Sequence, residues 1–282
     1  MEKRINDLIA KALAGEREAL EEILVEVKDF VFNISLRMLG TIPDAEDATQ
    51  EVLIKIITNL ASFKMNAKFE TWVYRITTNY LIDYKKSMFA QYPLTFTYYG
   101  NDIKAQVNES VEDAFNQEER ETLTNELKLS CTNVMLQCLT PLNRCVFILG
   151  TMFKINSQWA SEILGLSPQN YRQRLSRSRK KMQAFLFEHC EYAGGTCRCN
   201  QRIEYAIKCE RLKPKNLEYT NLVVLDKDIL EVHKNIMEDV EDQVDVFNKL
   251  PLYHAKVDSK TFISQLLSTA EVEQLLNFSQ EG

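Results

Sequence analysis

The chain has 282 residues, of which 45% are hydrophobic and 26% charged, with a formal net charge of −6. Such a length accommodates two or more small domains, and the balance is that of ordinary soluble globular protein. No apolar run reaches the roughly 18 residues of a membrane span, and the charged opening MEKRINDLIAKALAG does not read as a signal peptide, so no membrane partner and a cytoplasmic location are expected.

The N-terminal residues read as two helices. In the first, Ile5, Leu8, Ile9 and Leu13 point inward until Gly15 breaks it. The second runs from Glu16 through Leu39 on an apolar face that includes Leu20, Ile23, Leu24, Val27, Phe30, Val31 and Ile34. A third helix begins at Pro43–Asp44, where Ala45, Ala48, Val52, Leu53, Ile56, Ile57 and Leu60 recur at three- and four-residue steps. Its opposite face carries Asp47, Gln50, Glu51, Ile54 and Thr58. An isoleucine among carboxylates and an amide suits a partner-docking surface, and equally suits a solvated face with one stray apolar residue. A short basic loop from Phe63 to Phe69 follows, then a helix from Glu70 to about Lys86. That helix interleaves Trp72, Tyr74, Tyr80 and Tyr84 with Arg75, Asn79, Lys85 and Lys86. Aromatic planes stack on unpaired bases while nearby cations follow the phosphates, although Val73, Ile76, Tyr80 and Tyr84 also fit a core.

Periodicity vanishes from about 87 to 120 and returns at Leu123. A helix carrying Leu127, Val134, Met135 and Leu139 gives way at Thr140–Pro141 to another that turns Cys145, Val146, Ile148 and Leu149 inward. From Asn156 the pattern is a helix-turn-helix. Asn156 or Ser157 caps a helix with small Ala160, Gly165–Leu166 makes the turn, and Ser167–Pro168 opens the second helix. In that second helix Tyr171, Leu175, Ser178 and Met182 face inward. Arg172, Gln173, Ser176 and Arg179 fall opposite, where arginine and glutamine read guanine and adenine edges. Arg174, Arg177, Lys180 and Lys181 flank that side and suit phosphates. The mean charge hides this contrast: Gln169–Gln183 holds six bases and no acid, whereas Pro214–Gly282 holds 13 acids against 6 bases.

Two stretches, in order, resemble the extracytoplasmic-function sigma factors of bacterial RNA polymerase. DAEDATQEV followed by KFETWVYRITTNYLIDYKK resembles region 2, and NSQWASEILGLSPQNYRQRLSRSRKKMQ resembles region 4. The resemblance implies that Asp47, Gln50, Glu51 and Ile54 dock on polymerase core, and that Lys64, Asn66, Lys68, Trp72, Arg75 and Asn79 capture the melted −10 element. It implies that Arg172, Gln173, Arg174, Ser176, Arg177, Lys180 and Lys181 bind the −35 element. Gln158-Trp159-Ala160 and Gln169-Asn170-Tyr171 depart from the family's usual residues, which bears on the promoter sequence read. RNA polymerase core and promoter DNA are the implied partners, with an anti-sigma factor as a further one.

The expected fold is therefore all-α. A region 2 bundle spans 1–87, a flexible linker 88–120, a region 4 helix-turn-helix 121–187, and a mainly helical, acidic extension 188–282. The extension is read as acidic helices over Asp226–Val246 and Ser259–Asn277, and as a regulator in cis. No cofactor is required. Cys190, Cys197, Cys199 and Cys209 stand open to three readings: plain buried thiols, a structural zinc site, or a redox sensor whose thiolates Arg198 and Arg202 stabilise. Cys131, Cys138 and Cys145 read as small buried hydrophobes. An enzyme is excluded, since only His189, His233 and His254 exist and no P-loop is present. The alternative to a sigma factor is a stand-alone helix-turn-helix regulator, which does not need the Lys64–Asn79 features.

Overall fold

The computed structural model describes residues 2–64, 68–104, 115–225 and 245–254, with Thr261, Ser264 and Gln265. Helices are the only regular elements among them. In α1 (Glu2–Leu13), Ile5, Leu8, Ile9 and Ala12 are buried, while Leu13 is 39% exposed. Leu13 was expected inward; the 3.6-residue period instead places Ala12 on the buried row.

The second helix, α2 (Arg17–Leu39), is the axis of the molecule. From Val31 to Leu39 every residue is buried, including Asn33, Ser35 and Arg37. Burial all round marks a helix packed on several sides at once. The next helix, α3 (Ile42–Asn59), is capped by Thr41, whose Oγ1 accepts from the Asp44 amide, and Pro43 occupies its first turn. It packs its apolar row on α2, and α4 (Phe69–Asp83) closes the N-terminal bundle.

Within the expected linker the chain forms α5 (Met88–Gln91) and α6 (Phe96–Lys104). Then comes α7 (Gln117–Leu136), opened by a capping box between Asn116 and Glu119. Beyond it lie α8 (Pro141–Phe147), a wide turn at Ile148–Met152, α9 (Ser157–Leu164) and α10 (Pro168–His189). Gly165, at φ +64, makes the left-handed turn between the last two. The extension adds α11 (Ile203–Lys208) and α12 (Asp245–Asn248). The acidic helices expected over Asp226–Val246 and Ser259–Asn277 lie mostly outside the described residues.

The two helical units meet in one apolar cluster. Ile34, Met38, Tyr74 and Leu81 of the first pack with Leu136, Phe147, Ile163 and Met182 of the second. A polar seam runs through the contact. Trp159 Nε1 donates to Thr71 Oγ1 at 2.8 Å, and Arg37 Nη1 donates to Asn133 Oδ1 at 2.9 Å. Arg144 reaches Met38 O across the same seam.

Gly150 sits where the turn after α8 crosses α10. A Cβ there would lie 2.6 Å from both the Tyr171 hydroxyl and Leu175 Cδ2. Tyr171 is fully buried and cannot swing aside. Gly150→Ala is therefore expected to destabilise the helix-turn-helix by about 1–3 kcal/mol through overpacking, read as a lowered urea midpoint at constant m-value.

Candidate nucleic-acid interface

On α3, Asp47, Gln50, Glu51 and Ile54 share one face, as their three- and four-residue steps require. Asp47 and Glu51 are exposed, and Gln50 and Ile54 half-buried. The acidic side of this face lies beside α4. Burial pushes Tyr80 up to about 12, and Glu51 and Asp47 add to the rise; burial raises Tyr84 too, with Asp44, Asp47 and Glu51 contributing. Both phenols therefore keep their protons and remain hydrogen-bond donors.

Around the corner, the C-terminal half of α3 and the outer face of α4 enclose an open groove of about 660 Å³. Trp72, Ile76, Asn79 and Tyr80 form its wall, with Lys55, Lys85 and Lys86 at its rim. The Lys55 ammonium stands 5.5 Å over the Tyr80 ring. Trp72 is held by Phe69, stacked at 5.7 Å, and by Phe63 at 5.5 Å; Phe63 and Phe69 also meet edge-on. The two aromatic ends of the basic loop thus close on one another and fix the indole at the groove. A rigid aromatic wall whose lining holds three lysines against one carboxylate, Asp83, accepts flat, unpaired bases and their phosphates.

The sequence-expected residues divide here. Trp72 and Asn79 line the groove, and Lys64 and Lys68 are exposed at the loop ends. Asn66 lies outside the described residues. Arg75 points elsewhere: its Nη2 donates to Glu162 O at 2.6 Å and its Nε at 3.2 Å, so it ties α4 to the end of α9. Tyr74, read as part of the aromatic stripe, is 2% exposed and packs on Phe30 and Trp159. Lys85 and Lys86, read from the sequence as cations beside the aromatics, border the groove, and so does Lys55, which sequence reasoning missed because it reaches Tyr80 from the neighbouring helix.

The second surface is α10. Ser167 Oγ accepts from the Asn170 amide and fixes the helix start. Tyr171, Leu175, Ser178 and Met182 are all buried, as their spacing predicts. Arg172, Gln173, Ser176, Arg177, Lys180 and Lys181 are exposed. Arg174 is braced, its Nε donating to Asn170 Oδ1 and its Nη1 to Asn143 Oδ1, each at 3.0 Å. Arg179, expected on the reading face, donates instead to Thr151 Oγ1 and Gly150 O, both at 3.1 Å. It locks α10 to the preceding turn.

The cysteine element follows directly. Cys190 and Cys197 pair across an isolated parallel bridge in which the Cys197 amide donates to His189 O at 2.8 Å. The Glu191 carboxylate accepts from the Cys199 amide. Cys209 stands apart, exposed beyond α11. Cys131 of α7 instead neighbours Cys190, Cys197 and Cys199, and Tyr99 Oη donates to its sulfur. Among the described residues no group of three or more His, Cys, Asp or Glu side chains is placed to hold a metal ion. The zinc reading thus loses its geometry, because α11 carries Cys209 away and His189 is turned onto Gly100.

For the redox reading, burial and the arginines act in opposite directions. Burial raises Cys190, Cys197 and Cys199. Arg198 is occupied by Gly195 O and Glu191, whereas Arg202 donates to Ile103 O and also hydrogen-bonds Cys197, lowering its pKa against the larger effect of burial.

Residues 24–88 match the family model described as Sigma-70 region 2. Over 186 residues the chain is 28% identical to the ECF RNA polymerase sigma factor SigW of Bacillus subtilis, covering 65% of this chain and 97% of that protein. Over 72 residues it is 33% identical to the ECF RNA polymerase sigma factor SigE of Mycolicibacterium smegmatis, covering 24% of this chain and 28% of that protein. Among solved structures, CnrH in complex with the cytosolic domain of CnrY overlaps 65% of this chain and 97% of its own, at 20% identity and a TM-score of 0.47. No helix among the described residues is long and apolar enough to cross a membrane. Residues 24–88 thus match Sigma-70 region 2, and over 65% of its length the chain is similar to an extracytoplasmic-function sigma factor.

Proposed function

We propose that this chain binds RNA polymerase core through the α3 face of Asp47, Gln50, Glu51 and Ile54, and directs initiation from promoters that it reads at two places. The groove beside Trp72 and Asn79 takes the melted −10 strand, with Lys64, Asn66 and Lys68 contributing and Arg75 joining once it leaves Glu162. The exposed side of α10 takes the −35 duplex in the major groove. The duplex opens because the groove binds unpaired bases and not paired ones, which shifts the melting equilibrium. The extension from 188 onward regulates these activities in cis. The observation that carries the reading is the aromatic-walled, lysine-rimmed groove, which lies on the region 2 match. A stand-alone helix-turn-helix regulator has no use for it.

Run-off transcription with purified core polymerase on a promoter library tests the whole reading. Absence of any promoter-specific transcript, together with failure to retain core polymerase in a pull-down, would overturn it. An anti-sigma factor remains a partner to be sought by the same pull-down.

The two kinds of contact on α10 separate by variant. Arg172→Ala and Gln173→Ala are expected to relax preference at individual −35 positions, by about 1–3 kcal/mol per lost bidentate contact. Lys180→Ala and Lys181→Ala are expected to weaken all sites alike and to reduce the salt slope by about one unit each. Binding titrations over a sequence panel at several salt concentrations read both. An Arg172→Ala variant that behaves like Lys180→Ala would remove Arg172 from the reading face.

A further inference from the structure

We infer that residues 199–225 and 245–254 form an intramolecular clasp, which holds the −10-reading and −35-reading units closed on one another until it is released. The inference rests on the reading that α4 and α10 serve those two elements.

The closed arrangement and the promoter differ in scale. Both α4 and α10 pack on α9. Packed helices lie 8–10 Å apart, so the two reading helices stand within about 20 Å. Elements named −35 and −10 are roughly 25 base pairs apart, or about 85 Å at 3.4 Å per pair. A chain that engages both must separate its units by several helix diameters. Arg75 must leave Glu162, and Trp159 must leave Thr71.

The extension opposes that separation at three places. In the first, residues 245–254 bridge the units. Phe247 is 1% exposed and meets Phe147 of α8 edge-on at 5.2 Å, while the next few residues run onto α2. There Arg37 Nη2 donates to Pro251 O at 2.5 Å. The Asn33 side chain donates to Tyr253 O at 2.7 Å and accepts from the Tyr253 amide at 2.9 Å. His254 Nδ1 lies 2.6 Å from Asp29 Oδ2. One short segment is thus anchored in the core of one unit and paired by side chains of the other.

In the second, residues 217–225 lie across α7 and α2. The buried Glu126 carboxylate of α7 accepts from the amides of Glu218, Tyr219 and Thr220 and from the Thr220 hydroxyl, at 2.7–3.0 Å. Tyr219 Oη then donates to Gly40 O at the end of α2, at 3.0 Å. The Leu225 amide donates to Leu252 O, and the His254 amide to Val223 O, which joins this segment to the first.

In the third, the extension fastens the linker. Tyr99 of α6 stacks on Phe185 of α10 at 5.7 Å. While α6 stays there, only Tyr92–Thr95 join it to α5, a reach of about 14 Å. Freed, 25 residues from Tyr92 to Asn116 could span at most about 80–90 Å, the scale of the promoter spacing. Arg211 holds α6 through Asp102 at 2.6 and 3.0 Å, and Arg202 donates to Ile103 O at 3.0 Å. All three contacts come from residues outside both reading surfaces.

The test uses the full chain with Phe247→Ala and, separately, Arg211→Ala, an exposed residue whose loss spares the core. A fluorescent donor at Glu18 and an acceptor at Ala184, both exposed, report the separation of the units. Run-off transcription with core polymerase and promoter affinity report the consequence. The expected result is lower energy transfer in both variants, with promoter affinity and run-off at limiting protein at least tenfold above the parent chain. Unchanged energy transfer and unchanged run-off in Arg211→Ala, and in Phe247→Ala of matched helical circular dichroism, would overturn the clasp and leave the sigma reading standing. Lower energy transfer with no transcript from any form would support the clasp and overturn the sigma reading.

Discussion

Replacement of Arg144 by leucine is expected to cost about 4 kcal/mol or more of folding stability, the largest single-residue effect in the molecule. Arg144 is 8% exposed and spends its guanidinium on four carbonyls. It donates to Leu136 O at 3.0 Å, Gln137 O at 3.1 Å and Leu139 O at 2.9 Å, and to Met38 O. The first three lie where α7 ends, so one cation satisfies carbonyls that a helix terminus leaves without partners and sits at the negative pole of the helix. Burial lowers its pKa to about 10, still far above neutral, so the charge is present. Leucine fills the space of the stem but strands four buried acceptors, each worth about 1–3 kcal/mol when unsatisfied. Against a typical total of about 5–15 kcal/mol this is a large share. Urea unfolding followed by circular dichroism measures it. A loss under about 1 kcal/mol would show that solvent replaces the guanidinium at α7.

Trp72→Ala is expected to leave core-polymerase binding intact and to reduce open-complex formation by about 5- to 150-fold, the equivalent of one lost base stack at about 1–3 kcal/mol. The separation follows from the geometry: the proposed docking face lies on α3, whereas the indole stands across the groove on α4. Trp72 also braces Phe63 and Phe69, so its removal loosens the loop as well. Asn79→Ala supplies the control, because Asn79 is exposed and no part of that aromatic triangle. Permanganate reactivity of the melted strand reads both variants. Unchanged melting by both would remove the −10 assignment from this groove.

The cysteines show where a linear reading stops. Cys190, Cys197, Cys199 and Cys209 lie within twenty residues, and proximity in sequence suggested one site. In the fold, α11 carries Cys209 to the surface, and Cys131, nearly sixty residues earlier, takes the place beside the other three. Nothing in the spacing of Cys131 signals this, since helix periodicity reports which residues are buried and not what they are buried against. The thiols' chemistry was likewise undecided. Nearby arginines argue for lowered pKa values, and Arg202 does hydrogen-bond Cys197, but burial outweighs it, and Arg198 is turned to Gly195 O.

What the sequence by itself determined is the local structure. Three- and four-residue steps specify the buried rows of α3 and α10, Gly165 and Ser167–Pro168 specify the turn, and the acid-free run over Gln169–Gln183, with its six bases, makes α10 cationic. These are properties of residues within a few turns of one another, and local backbone chemistry decides them. The tertiary structure alone decided which exposed-looking polar groups are spent internally. Arg75 and Arg179 carry the same charge as their exposed neighbours, yet each finds backbone carbonyls on another element. It also decided that the extension bridges both units, through side chains such as Asn33, Arg37 and Glu126 that pair with backbone some 90 to 220 residues away. Backbone amides and carbonyls are the same at every position, so their pairing with distant side chains leaves no mark in the residue pattern; only the closed packing of the helices brings the partners into reach.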